Sequence, residues 1–202
     1  MPELPDLQVF SKNLTKMLKG KALQVATIHN YQKIKISENI LQKLEGKRLI
    51  RVYREGKKLF FDFGKDAILS MHLMLHGKLV YSEDQIPKYA LLSLKFENGK
   101  TLSLTDFQKM ANIEINPAPG KAIDALSSDL TSKALQRLLH QSKAKIKTFL
   151  MDQNLIGGIG NAYADEILHA AGISPVSIAN KIPEKQISDL LKAISQVLLG
   201  RT

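Results

Sequence analysis

A run of turn-forming residues at 116–120, Asn-Pro-Ala-Pro-Gly, divides the chain into two parts with different hydrophobic periodicity. Proline lacks a backbone N–H and glycine tolerates unusual backbone angles, so such a run interrupts strands and helices alike. Short β-rich segments separated by turns precede it, and apolar residues at helical spacing follow it. The sequence therefore predicts an α+β chain with one domain at 1–118 and a second at 122–202.

The first part is predicted to be an antiparallel β-sandwich, with a barrel as the alternative, capped by an N-terminal helix. Leu7, Phe10, Leu14 and Leu18 have the spacing of that helix. The predicted strands span residues 22–28, 49–53, 59–63, 67–73, 78–81, 90–96 and 101–105. Asn98-Gly99 separates the last two strands and suits a two-residue type I′ hairpin, because both of its central residues need positive φ.

The second part is predicted to be helical. The expected helices span residues 132–140, 143–153, 161–171 and 183–199, with a turn at 155–160 that contains three glycines. Asn161 is a good N-cap for the third helix, and Gly172 and Pro175 favour its end.

The glycine turn is a candidate anion site. Glycines before a helix N-terminus expose backbone N–H groups where the helix dipole is positive. The Walker lysine is absent and the turn joins two helices, so we expect a DNA phosphate rather than a nucleotide. The alternative is a tight helix connection with a capping asparagine.

Charge and cysteine content narrow the function. The formal net charge is +10, which favours a polyanionic partner, most often nucleic acid, although a merely basic surface is the alternative. Lys143, Lys145 and Lys147 come just before the glycine turn, with no acidic residue between Thr131 and Met151. The absence of cysteine excludes disulfides and cysteine-ligated zinc, and it is compatible with a reducing cytosol.

The chain opens with a pair of residues that suits covalent catalysis. After removal of the initiator methionine, Pro2 is a free secondary amine beside the Glu3 carboxylate. Such an amine can attack the anomeric carbon of a sugar and form an iminium, while the carboxylate moves protons. The alternative is a proline that simply opens a helix. Similarly, Lys57 after Gly56 either reaches a phosphate or is a solvated turn charge.

Three separated motifs together resemble the formamidopyrimidine-DNA glycosylase / endonuclease VIII family. They are Pro2-Glu3-Leu4-Pro5, Gly56-Lys57 before a hydrophobic strand, and the helix-two-turn-helix segments Asp152-Gln153, 158–166 and 171–175. The resemblance implies a base-excision-repair DNA glycosylase with AP lyase activity that flips a damaged base out of the duplex. The proline amine then attacks C1′ and expels the base, and elimination cuts the strand.

The resemblance also assigns roles to residues. Pro2 is the expected nucleophile, Glu3 the proton-transfer group and Lys57 a catalytic, phosphate-contacting lysine. The residues expected to bind DNA are His72, Leu75 (as a wedge in the emptied base stack), Lys109, Lys147 and Asn161. Lys109 belongs to segment 106–110, which matches the family's second void-filling segment only loosely, and Asp6 stands where the family usually has glutamate.

Partners and setting follow from the same resemblance. We expect double-stranded DNA with oxidised bases or abasic sites as the partner, no metal or cofactor, a monomer, and a bacterial cytoplasmic location at the nucleoid. Most relatives continue into a zinc finger or a zincless hairpin, so an end at Thr202 predicts a short member without this module, with a chain trimmed before the module as the alternative. The alternative function is a weakly catalytic or non-catalytic binder of damaged or abasic DNA, because the Pro2 nitrogen is an unreactive amide while Met1 remains attached.

Overall fold

The computed structural model describes residues 2–30, 34, 36–83 and 85–200. The state of Met1 and the chain end at 201–202, on which two expectations depend, lie outside this part. The chain divides into two compact units. The sandwich unit contains Asp6–Arg54 and Lys58–Ala118 with Pro2, and the helical unit contains Glu3–Pro5, Glu55–Lys57 and the residues from Pro119 onward.

The sandwich unit is built from two four-stranded sheets. One sheet has the order β1-β6-β7-β5 and the other β2-β3-β4-β8. The strands are β1 (Leu23–Ile28), β2 (Arg51–Glu55), β3 (Lys58–Asp62), β4 (Ile68–His72), β5 (Lys78–Glu83), β6 (Ala90–Phe96), β7 (Lys100–Thr105) and β8 (Asn112–Ile115). The seven predicted strands are confirmed with shifts of at most two residues at each end, whereas β8 was not anticipated.

A single apolar core holds the two sheets and the first helix together. Helix α1 (Leu4–Leu18) contributes Leu7, Leu14 and Leu18, and both sheets contribute further buried side chains. Phe61 of β3 and Phe96 of β6 are among the largest fully buried residues of this core. Because the sheets share it, the sandwich prediction is confirmed. The short helix α2 (Glu38–Gln42) was not anticipated.

The β6–β7 hairpin forms where it was predicted, but with a different turn. Gly99 has φ +75°, and its N–H donates to the Phe96 carbonyl at 3.0 Å. Asn98 is not left-handed; its side-chain oxygen instead accepts the N–H of Lys100 at 3.2 Å. A type I′ turn needs positive φ at both central residues, so that prediction was wrong. Gly99 alone is left-handed, and this one residue is sufficient to reverse the chain between β6 and β7.

The helical unit has four α-helices, a 3₁₀ turn and a small parallel bridge within the described residues. They are α3 (Ser132–His140), α4 (Ile146–Met151), α5 (Asn161–Ala170), the turn Ala179–Lys181, α6 (Glu184–Leu198), and the strands β9 (Ile123–Asp124) and β10 (Ile156–Gly157). Helix α3 has the predicted bounds. No helix in the described part of the chain is long and apolar enough to cross a membrane.

Helix α4 is shorter than the predicted 143–153 because the backbone just before it is extended and pairs with a distant segment of the chain. Lys145 is extended and bridges to Ile178. The N–H of Ile146 donates to the Ser177 carbonyl at 2.7 Å. This long-range pairing prevents the helix from starting at residue 143. Hydrophobic periodicity along the sequence cannot predict such a pairing.

Candidate functional site

The side chain of Glu3 caps helix α5. Its carboxylate accepts the N–H groups of Gly160 at 2.9 Å, Ala162 at 3.3 Å and Tyr163 at 3.4 Å. Helix N-terminal amides have no partner within their own helix, so an internal carboxylate satisfies them and is favoured by the helix dipole. Glu3 is only 8% exposed. The carboxylate is therefore held in one place by a helix distant in sequence.

This arrangement corrects the predicted cap. Gly160, not Asn161, is the N-cap of α5, and it has no side chain to donate or accept. Asn161 is the first helical residue and is exposed at the surface. Glu3 performs the capping that the sequence assigned to Asn161, which leaves the Asn161 amide available for a different partner.

The glycine connection, residues 155–160 between α4 and α5, is not an open anion cradle. Residues 156–160 are all buried. The N–H of Gly158 donates to the Gln153 side chain at 3.0 Å, and that of Gly160 donates to Glu3. The expectation that these glycines expose their amides to an external phosphate was wrong, because the Gly158 and Gly160 amides are already bonded to side chains of the same chain, Gln153 and Glu3.

Lys57 lies in a turn that packs against the same connection. Gly56 has φ +53°, and its N–H donates to the Asp124 carboxylate at 2.7 Å. The backbones of Gly56 and Gly157 meet so closely that a Cβ on Gly157 would lie 3.3 Å from the Gly56 Cα. Burial lowers the pKa of Lys57 below its ordinary value, and the negative charge of Glu3 opposes this shift. Glu3 and Lys57 thus share one electrostatic environment within the helical unit.

Lys147 makes an ion pair with the next helix. Its Nζ lies 2.8 Å from the carboxylate of Asp165, and both side chains are partly exposed. The Asp165 charge offsets much of the attraction that Lys147 would exert on a phosphate, so its expected role in binding DNA depends on breaking or sharing this pair.

In the sandwich unit, His72 ends β4 and leads into a tight turn at 73–77. The His72 Nδ1 accepts the N–H of Met74 at 3.3 Å, and Met74 has φ +54°. The Gly77 N–H donates to the Leu73 carbonyl at 2.9 Å, and a Cβ on Gly77 would lie 2.1 Å from that oxygen. The turn presents Leu75 at its tip, 57% exposed.

A second loop, 106–111, is organised by a buried carboxylate. Asp106 is 2% exposed and accepts the N–H groups of Gln108 at 2.9 Å, Met110 at 2.7 Å and Ala111 at 2.8 Å. Burial raises the pKa of Asp106, but these bonds and the nearby His76 outweigh it, so the net shift is downward. Lys109 has φ +58° and is exposed.

The two loops lie together and form what we call the exposed loop cluster, residues 73–77 and 106–111. The rings of His76 and Phe107 are 4.8 Å apart and tilted by 50°. Phe107 and Met110 are more than half exposed, as is Leu75. Solvent-exposed apolar residues concentrated on strained loops are typical of a binding surface.

Tyr89 is a candidate that the sequence analysis missed. It has φ +64°, which is rare for an aromatic residue, and its carbonyl accepts the N–H of Asp106 at 3.0 Å. The Lys88 Nζ lies 4.8 Å from the centre of its half-exposed ring. A lysine–tyrosine pair directly before strand β6 was the available signal, but only the fold brings it to the exposed loop cluster.

The candidate catalytic residues Pro2, Glu3 and Lys57 offer amines and a carboxylate as their reactive groups. No group of three histidine, cysteine, aspartate or glutamate side chains among the described residues is placed to hold a metal ion.

Family models match both parts of the chain. The formamidopyrimidine-DNA glycosylase N-terminal domain matches residues 1–113, and the formamidopyrimidine-DNA glycosylase H2TH domain matches residues 122–200. Together they cover nearly all of the sequence.

Individual relatives agree with these models. A formamidopyrimidine-DNA glycosylase of Streptococcus agalactiae is 33% identical over 98% of this chain and 77% of its own length. One from Streptococcus thermophilus is 32% identical over 100% and 79%. The Lactococcus lactis enzyme, non-covalently bound to DNA containing an abasic site, has a TM-score of 0.89 at 26% identity, covering 99% of this chain and 81% of its own.

Proposed function

Because the chain belongs to the formamidopyrimidine-DNA glycosylase family, we propose that Pro2, Glu3 and Lys57 carry its chemistry. The protein is a base-excision-repair DNA glycosylase with AP lyase activity. It acts on double-stranded DNA that contains oxidised bases or abasic sites, after the target nucleotide has been flipped out of the stack at a cost of a few kcal/mol.

In the proposed reaction the Pro2 nitrogen forms a bond to C1′ as the bond between C1′ and the base breaks. Glu3 moves the protons that this exchange requires: the amine loses its proton, the departing base gains one, and O4′ gains one as the C1′–O4′ bond breaks and leaves the iminium. Elimination from that iminium then cuts the strand. Lys57 contacts the phosphate beside the lesion and assists the reaction from the electrostatic environment that it shares with Glu3. The observation that carries this proposal is the Glu3 carboxylate held by three backbone N–H groups in the electrostatic environment of Lys57.

DNA recognition is proposed to use residues of both units. Asn161 binds a backbone phosphate and Lys147 adds charge, while His72 contacts the backbone and Leu75 fills the space that the flipped base leaves. Lys109 lies in the exposed loop cluster and Tyr89 lies beside it, and both contact the DNA. Phosphate contacts fix register, whereas the apolar residues act on the base stack.

We propose that the two functional domains correspond to residues 1–118 and 122–202 and that the protein acts as a monomer. Its relatives are bacterial, and we propose a cytoplasmic location at the nucleoid, where its substrate is.

Borohydride trapping on abasic DNA tests the nucleophile. Protein whose intact mass shows that Met1 is removed should give a cross-linked band, and peptide mapping should locate the adduct on Pro2. Pro2→Gly protein with Met1 retained should give none, while the linker variant Pro119→Ala should match wild type. A strong band from protein that retains Met1 would assign the adduct to another amine, such as Lys57. Binding of abasic DNA without any adduct would favour the non-catalytic alternative.

A further inference from the structure

Each of the three glycines of the glycine connection lies against a residue that is, or directly adjoins, a proposed catalytic residue. Gly157 meets the Gly56 backbone beside Lys57, Gly158 meets Leu4, and Gly160 meets Glu3. We propose that Gly160 is a positioning residue: its missing side chain is the space that the Glu3 carboxylate occupies. This proposal rests on the proposed function, because it deepens the role given to Glu3.

Gly160 is required for space and not for its backbone angles. Its φ is −118° and its ψ is −166°, an extended conformation open to any residue. A Cβ at this position would lie 2.3 Å from Cδ and Oε1 of Glu3 and 2.5 Å from Oε2. Such distances are far inside van der Waals contact, so an alanine at 160 and a carboxylate at this place exclude each other.

The overlap falls on the far end of a flexible side chain. The Glu3 carboxylate can therefore rotate away without a shift of the backbone, but it then leaves the N–H groups of Gly160, Ala162 and Tyr163, so the variant loses a helix cap. The variant should fold while losing the geometry of one carboxylate. Gly160→Ala is therefore expected to differ from a glycine substitution that only unfolds the protein.

Neighbouring contacts explain why a small displacement of Glu3 matters. Leu4 is fully buried in the core of the helical unit. A Cβ on Gly158 would lie 2.5 Å from the Leu4 Cδ1. Residue 4 is thus anchored and residue 3 is held by its carboxylate. Pro2 precedes Glu3 by one peptide bond, which spans only about 3.8 Å between Cα atoms. The connection consequently restricts where the amine lies.

Two control glycines come from the same unit. Gly120 has no heavy atom within 4 Å of a built Cβ, and it has an ordinary φ. Gly172 is equally open but has φ +64°, so alanine there strains the backbone without approaching Glu3. Gly120→Ala controls for the substitution itself, and Gly172→Ala controls for lost stability.

The kinetic test compares wild type, Gly160→Ala, Glu3→Gln, the double variant and the two controls under single-turnover conditions below their melting temperatures. Gly160→Ala should slow base excision and borohydride-trapped adduct formation by about tenfold to a hundredfold, part of what acid–base catalysis supplies. Its DNA affinity should stay within about twofold, because a lost transition-state interaction appears in the chemical step. Both controls should react at the wild-type rate.

The double variant decides whether Gly160 acts through Glu3. If it does, Glu3→Gln combined with Gly160→Ala should be no slower than Glu3→Gln alone, because the two changes remove the same interaction. A wild-type rate in Gly160→Ala, or two rate losses that simply multiply, would overturn the proposal.

Amide hydrogen exchange provides a readout independent of activity. The Ala162 and Tyr163 amides should exchange faster in Gly160→Ala than in wild type or Gly120→Ala, because Glu3 is their acceptor. If wild type forms no adduct at all, the proposed nucleophile fails, yet exchange still decides the positioning role. Equal exchange at both amides in wild type and Gly160→Ala would contradict it.

Discussion

Glu3 in the helical unit and Asp106 in the sandwich unit are both buried carboxylates that accept three backbone N–H groups. Asp106 accepts them from its own loop, two to five residues away. Glu3 accepts them from a helix whose first bonded residue is 157 positions distant. The first arrangement shapes a loop that presents side chains to solvent, whereas the second joins two distant segments in a buried connection.

The difference teaches that a carboxylate bonded to backbone amides is not by itself a mark of catalysis. The surroundings distinguish the two. Lys57, whose pKa burial lowers, shares the environment of Glu3, and Pro2 is its covalent neighbour. The charge of His76 acts on the pKa of Asp106, and the loop that Asp106 organises carries the exposed apolar residues Phe107 and Met110. We therefore propose a catalytic role for Glu3 and a structural role in its loop for Asp106, and mutation of each carboxylate separates the two roles.

The largest expected effect is on the rate in Glu3→Gln. Loss of the proton-transfer group should slow base excision by about 10²- to 10⁴-fold, while duplex binding changes little because the proposed phosphate contacts remain. Single-turnover kinetics and a binding titration on the same duplex containing an oxidised base measure the two quantities. A rate loss of similar size in Asp106→Asn would abolish the distinction drawn between the carboxylates.

Stability should respond most to Gly158→Ala. Gly158 has φ +108°, and a Cβ there would overlap the buried Leu4 side chain. Left-handed strain and overpacking together should lower the free energy of unfolding by about 2–4 kcal/mol. Gly99→Ala is the matched control, since Gly99 has φ +75° but open space around it. Urea unfolding should show the smaller loss for Gly99→Ala; equal losses would mean that the Leu4 contact contributes nothing.

Asp106→Asn should destabilise the sandwich unit by about 1.5–3 kcal/mol at neutral pH, the usual range for hydrogen bonds to a charged group. The pKa of Asp106 is lowered below its ordinary 3.8 in the folded state. Its stabilising contribution is therefore complete above pH 3.8 and is lost as pH falls through the folded-state pKa. Urea unfolding at pH 7, 5 and 3.5 should show the deficit of the variant shrinking only at the acidic end. A deficit independent of pH would exclude the charge as its cause.

Leu75→Ala and Asn161→Ala should differ in which DNA they affect. Asn161→Ala should weaken binding to damaged and undamaged duplexes by similar factors, because a phosphate contact carries no base information. It should not lower the melting temperature through capping, since Gly160 and Glu3 form the cap. Leu75→Ala should weaken binding to abasic duplex by about tenfold and leave undamaged duplex unchanged. Equal selectivity in both variants would contradict the assigned roles.

The smallest effect concerns the pH dependence of stability in Lys57→Met. The folded-state pKa of Lys57 lies below 10.5 because burial disfavours its charge. Wild type therefore bears a desolvation cost at neutral pH that is relieved as pH rises through the folded-state pKa. The variant should melt about 2 °C or less above wild type at pH 7, with the difference vanishing toward pH 10. A difference that grows with pH would mean that attraction to Glu3 outweighs burial.

Local sequence patterns were sufficient for the fold class and the family, and they also predict a two-part organisation. The 116–120 run, the spacing of Leu7 to Leu18 and the β-rich segments depend on neighbours along the chain, so local periodicity reveals them. The motifs around Pro2, Gly56 and Asn161 identified the family before any fold was known. Helix α3 was predicted to the residue, because its Thr131 cap and its apolar face are both local.

Which acceptor each buried backbone N–H group finds depends on the tertiary structure. The sequence named Asn161 as a cap and the glycines as an open anion site, since both are sound local preferences. Folding brings Glu3 to the same amides and fills the space that glycine leaves, so a partner from the other end of the chain replaces the local one. Tyr89 is likewise joined to the exposed loop cluster by the 3.0 Å bond that its carbonyl accepts from the N–H of Asp106, 17 residues further along the chain. Orphan backbone groups must find some partner on burial, but which one they find depends on distances that no local pattern encodes.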